Sequence, residues 1–120
     1  MLRRRKERTP PQNEIIEACI KKVREEFKDR VPVVRTYFSK GKSFYGAPTL
    51  RIEYFVETAA MEDSIDSKTY RELQDRTRDE LLFMGYFRER KDEVSVLVYS
   101  EERVKNDKDY YIRGGVRGQT

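Results

Sequence analysis

Few side chains in this chain could do covalent or metal chemistry. It contains no histidine and one cysteine, Cys19, so the usual general base and the commonest zinc ligand are missing and no internal disulfide can form. Cys19 falls on the apolar stripe of a helical repeat, where a thiol serves as a small core residue; a nucleophilic thiol needs a positive, partly open setting. The patterns GxxxxGK[ST] and GxGxxG and paired cysteines are absent, which leaves phosphate cradles, dinucleotide folds and zinc knuckles without support. Acid-x-Lys, which holds magnesium in restriction-type nucleases, occurs at Glu26-Phe27-Lys28, Asp66-Ser67-Lys68 and Glu89-Arg90-Lys91. Two of these lie on or beside helices and the third borders a turn, whereas such a site needs adjacent strands. No enzymatic activity, catalytic residue, metal or cofactor is expected.

Binding chemistry is better supplied. Of the 26 cations and 22 anions, the first eight residues hold five and one, leaving 21 of each in the rest. Arg3, Arg4, Arg5, Lys6 and Arg8 thus form a basic arm on a neutral body, able to meet phosphate or acidic protein groups. Lys40 and Lys42 stand beside Phe44 and Tyr45, and Tyr110 and Tyr111 stand beside Arg113, so each group joins a cation to a stacking face. Arg113-Gly114-Gly115 is a single copy of a tripeptide that RNA-binding tails repeat many times. A dedicated nucleic-acid binder of this size carries its charge on the folded surface, so that reading is the alternative. A stretch from Glu57 to Ser67 with four acids and no cation makes the molecule polarised and suits contacts between unlike surfaces of neighbouring copies.

One domain must position these residues. The 120 residues include 37% hydrophobic and 40% charged side chains, against roughly 45–50% and 25% in an average soluble domain. The core is therefore thin, yet 12% aromatics are too many for a disordered chain. No apolar run is long enough to span a membrane, and the basic start is not followed by the apolar segment of a secretory signal. The expected location during synthesis is the cytoplasm.

Pro10-Pro11 stops any helix before Asn13, a good N-cap. Ile16, Ile20, Val23 and Phe27, widened by Ile15 and Cys19, predict a helix over 14–29 with Glu17, Lys21, Lys22, Arg24 and Glu25 on its polar face. A strand is predicted over 33–39, a long hairpin loop over 40–48, and a second strand over 49–57. The second strand alternates with Leu50, Ile52, Tyr54 and Val56 facing inward and Arg51, Glu53, Phe55 and Glu57 on a mostly wet face. A second helix capped by Ser67 spans 68–84 and ends at Gly85. Strands over 86–90 and 94–100 form a second hairpin, with Val94, Val96 and Val98 inward, and Tyr110–Arg113 adds an edge strand. The fold class is α+β: an α-β-β-α-β-β two-layer sandwich, a mainly antiparallel sheet with helices on one face. Residues 1–12 are a basic, proline-containing arm, 13–104 the α+β domain, and 105–120 the edge strand and a glycine-rich tail.

The run Pro48-Thr49-Leu50-Arg51-Ile52-Glu53-Tyr54-Phe55-Val56, an acidic loop, the helix over 68–84 and then Val94–Tyr99 resembles the tail-terminator (tail completion) proteins of long-tailed bacteriophages. The resemblance covers about residues 13–100 and lies in order and pattern. It implies a subunit that closes the head-proximal end of a tail as a ring. The chain departs from the pattern in a longer arm and tail and one strand fewer before the second helix, and no site residue is carried over. The expected function is that of a non-enzymatic assembly subunit in a homo-oligomer or larger complex. An arm apolar only at Met1 and Leu2 cannot repay the entropy of ordering on its own domain, so its contacts belong to another chain. Nucleic-acid binding through the arm and the loop aromatics is the alternative.

Overall fold

The computed structural model describes residues 12–42, 44–46, 48–86 and 93–106. In chain order they form α1 (Gln12–Glu26), β1 (Val33–Lys42), β2 (Pro48–Val56), α2 (Ala59–Asp63), α3 (Ser67–Phe83), β3 (Glu93–Ser100) and α4 (Glu101–Asn106). The fold is α+β. Residues 1–11 of the basic arm, the segment 87–92 and everything after Asn106, including the expected edge strand, lie outside the described residues.

The spacing of four that marks α1 buries Ile16, Ile20 and Val23, with Cys19 beside them. The helix ends at Glu26, three residues short of expectation, because Arg30 and Val31 both donate backbone N–H groups to the Phe27 carbonyl and close the chain into a turn. In α3 the cap is Asp66, one residue before the expected Ser67: its carboxylate accepts the Thr69 N–H at 2.7 Å. That bond to a helix N-terminus holds the Asp66 carboxyl below the ordinary aspartate range. The far end closes as expected on Gly85, whose φ of 87° suits a residue without a Cβ. The Tyr86 N–H reaches back to the Leu81 carbonyl and the Gly85 N–H to that of Leu82, the paired bonds of a Schellman ending. Tyr86, expected to open a strand, instead finishes this motif and buries its ring in the core.

The sheet order is β1-β2-β3. β1 pairs with β2 antiparallel, but β3 lies parallel to β2, so the sheet is mixed where a mainly antiparallel one was expected. Parallel neighbours require a crossover, and α2 and α3 supply it. Leu50, Ile52, Tyr54 and Val56 of β2 meet Ile16, Ile20, Val23, Leu73 and Leu81 in one core with Val94, Val96 and Val98. The other face of β2 is not wet. Glu53 and Phe55 are fully buried, with Arg51 3.1 Å from Glu53 and the Arg35 guanidinium 3.8 Å over the Phe55 ring. Alternation reveals that a strand has two faces; it does not reveal that cross-strand aromatics and guanidinium groups shield the second.

Along the outside of the helical layer α1 and α3 run antiparallel and exchange charges every four residues. Lys22 meets Glu80 and Glu26 meets Arg76, and Arg30, in the turn beyond α1, meets Glu72, three rungs with the signs alternating. Glu80 is almost fully buried. Burial pushes its carboxyl up, but hydrogen bonding and charge from Arg76 and Lys22 prevail and leave it below the usual range. The acidic connection is folded too: Thr58 caps α2 by accepting the Met61 N–H, and Arg103 of α4 pairs with Glu62 and Asp63.

Candidate interaction surface

The two outer strands of the sheet end differently. On the free side of β3 the Val98 N–H donates to the Tyr70 hydroxyl at 3.0 Å, Gln74 donates to the Val96 carbonyl at 3.1 Å, and Arg78 donates twice to the Val94 carbonyl at 3.2 and 3.0 Å. All three side chains come from α3 at spacings of four. Four helical residues advance about 6.0 Å and two strand residues about 6.6 Å, so the antiparallel helix keeps step with the strand and closes its edge rung by rung.

On the free side of β1 one such contact exists among the described residues, Arg24 to the Val33 carbonyl at 3.0 Å. It sits at the start of the strand, next to a register irregularity between Val33 and Arg35. Among the described residues no other side chain covers the edge at Thr36–Phe38, and β1 leaves Val34 and Tyr37 half-exposed. Between this edge and α1 runs a groove of about 410 Å³ lined by Glu17, Lys21, Arg24, Thr36, Tyr37 and Phe38. It continues past Lys28, Pro32 and Val33.

Of the residues singled out from sequence, Lys40, Lys42, Phe44 and Tyr45 come together at the tip of the β1–β2 hairpin. Lys40 faces Leu50 and Lys42 faces Pro48 across the ladder, so both lysines share one side of the hairpin. Gly46, at φ 86°, turns the chain in a conformation few side-chain-bearing residues adopt. Phe44 and Tyr45 project beyond it, 95% and 90% exposed, their rings edge to face at 5.2 Å. Arg3, Arg4, Arg5, Lys6, Arg8, Tyr110, Tyr111 and Arg113 lie outside the described residues. Sequence reading missed Tyr37 and the groove beside it, since no local pattern says which strand ends a sheet. One signal was present: Glu14 and Glu17 precede Lys21 and Arg24 along α1, a change of sign along the helix.

The residues weighed for chemistry have other work. Cys19 is buried, and its thiol donates to the Thr77 carbonyl at 3.5 Å. Burial, with Glu80 adding to it, pushes that thiol up to about 12, the reverse of what a nucleophile needs. Thr77 donates to the Leu73 carbonyl, so the buried Tyr54 hydroxyl donates to Thr77. Glu26 pairs with Arg76 and Lys28 with Glu25, and Asp66 caps α3, which engages the acids of both described acid-x-Lys triplets. Among the described residues no three metal-ligating side chains gather, and no helix is long and apolar enough to cross a membrane. Compared with protein-family models, curated proteins and solved structures, the chain matches none.

Proposed function

We propose that this chain is a non-enzymatic assembly subunit that joins a larger structure through its hairpin tip; the virion neck or tail-completion ring implied by the resemblance is the specific form of that role. The observation that carries it is the pair Phe44 and Tyr45, held at 95% and 90% exposure. Each ring offers roughly 150–250 Å² for burial against a partner, and contiguous exposed apolar groups mark contact sites. The test is native mass at rising concentration, to roughly 100 µM, for the parent chain and a Phe44→Ser/Tyr45→Ser variant. Species larger than a dimer should form with the parent and vanish with the variant. A parent that never exceeds a dimer removes the assembly role.

A second reading rests on the lysines at the same tip. Lys40 and Lys42 lead to two aromatic faces, the combination that holds unpaired bases over a neutralised backbone. Adding a labelled single-stranded oligonucleotide to the same samples separates the readings. Binding that falls steeply with salt and is lost in the tip variant would favour nucleic acid as the tip's partner.

A further inference from the structure

We propose that two copies of this chain pair through their β1 edges, antiparallel and centred on Tyr37, to build one continuous six-stranded sheet. The inference rests on the assembly reading only in that the chain must meet another chain, and it names that chain as a second copy. An open strand edge is a template for another strand, and among the described residues α3 wraps the far edge at β3 while β1 beyond Val33 has no such cover at Thr36 and Phe38. The centre follows from where the regular ladder lies. The irregularity before Arg35 and the lysine at position 40 bound the stretch Arg35–Ser39, whose middle is Tyr37. A two-fold axis there sets Tyr37 against Tyr37, Arg35 against Ser39 and Thr36 against Phe38. No like charges face each other in this register, and the half-exposed tyrosines become a cross-strand aromatic pair.

Charge on α1 selects the same partner. Beside Thr36–Phe38 the groove runs from Glu17 at one end to Arg24 at the other. The two-fold axis exchanges those ends, bringing Glu17 beside the partner's Lys21 and Arg24. Each contact occurs twice. An unrelated extended peptide would gain the edge hydrogen bonds but would match this separation of sign only by carrying its own.

Sedimentation velocity on the full chain tests the pairing. The parent should dimerise at tens of micromolar, more weakly at high salt because these contacts are exposed. Tyr37→Lys sets two cations face to face and should weaken the dimer about tenfold or more. Glu17→Lys turns its attractions to the partner's Lys21 and Arg24 into repulsions and Lys21→Glu does the same to its attractions to Glu17, so each should weaken the dimer by about five- to tenfold, while an equimolar mixture of the two, which restores the pairs between positions 17 and 21, should recover most of the parent's dimerisation. That recovery cannot come from variants that fail to fold. A parent that stays monomeric at 100 µM, a dimer indifferent to all three changes, or a mixture no better than its components overturns the proposal. The outcomes are separable from those at the hairpin tip: loss of species above the dimer in the tip variant, with the dimer intact, supports both readings, and higher species with no response to the β1 and α1 changes leave the assembly role without this pairing.

Discussion

The edges at β3 and β1 terminate the same three-stranded sheet 10 Å or so apart, yet among the described residues one is sealed by a helix and the other is touched at its start alone. At β3 the Tyr70, Gln74 and Arg78 side chains occupy backbone groups of Val98, Val96 and Val94. At β1, among the described residues, the side-chain contact to the outer edge is that of Arg24 with the Val33 carbonyl. The contrast follows from topology. The crossover from β2 to β3 brings α3 alongside β3, so helix and strand share a register, whereas α1 reaches β1 through a short turn at Phe27–Val31 and presents mainly ends of long charged side chains. The β3 edge is thus braced by its own helix, whereas β1 leaves six of its ten residues exposed.

Removing what both edges depend on should have the largest effect. Ile52 is fully buried in the central strand, opposite Phe38 on one side and Val96 on the other. Ile52→Ala should cost about 2–5 kcal/mol, measured by urea unfolding, and should loosen β1 and β3 alike in hydrogen exchange. A melting temperature within a degree or two of the parent would show that the edges do not share this support.

Opening the sealed edge comes next. Tyr70→Phe/Gln74→Ala/Arg78→Ala strips β3 of its cover, and at roughly 0.5–1.5 kcal/mol per net hydrogen bond it should cost about 2–4 kcal/mol. It should also produce a new concentration-dependent association that the Tyr37→Lys change does not reverse. Stability loss without new association would mean that α3 is a brace for β3 and not a guard.

A smaller effect tests how α3 is launched. Because its cap bond holds the Asp66 carboxyl down, the folded-state pKa lies below the unfolded one. The stabilisation is therefore present above the ordinary aspartate range and is lost as pH falls through the folded value. Asp66→Ala should lower the urea midpoint at pH 7 and lower it by less at pH 2, as the parent's carboxyl takes up its proton. An equal deficit at both values would place the effect in something other than the charged cap.

The helices and the inner faces of the strands were legible because their evidence is local. Ile16, Ile20 and Val23 repeat at helical spacing, and Leu50, Ile52 and Tyr54 alternate, whatever the rest of the chain does. The edges were not, because Tyr70, Gln74 and Arg78 read as ordinary helix positions until β3 lies beside them. The parallel pairing of β3, the buried state of Glu53 and Phe55, and the short helices α2 and α4 were lost for the same reason: each depends on residues distant in sequence, such as Arg103 meeting Asp63. Of the interaction surface, the hairpin tip was legible from residue types at Lys40, Lys42, Phe44 and Tyr45, while the groove at Tyr37 needed the fold.

The smallest expected effect sharpens the comparison most, because it sets one guanidinium at each edge against the other. Arg78 makes two hydrogen bonds to the Val94 carbonyl from within a row of α3 contacts, and its loss breaks a ladder that Gln74 and Tyr70 continue. Arg24 makes one hydrogen bond to the Val33 carbonyl, at a place where water can replace it and where the strand is already irregular. Arg78→Ala should therefore cost about 1–2 kcal/mol, and Arg24→Gln no more than about 0.5 kcal/mol, both read from urea midpoints at pH 7. Hydrogen exchange supplies the second readout: amides along β3 should exchange faster in Arg78→Ala, while those of Thr36–Ser39 should keep the parent's rates in Arg24→Gln. If Arg24→Gln proves as costly as Arg78→Ala, β1 is held by its helix as tightly as β3 is, and its edge is a finished surface with no need of a partner.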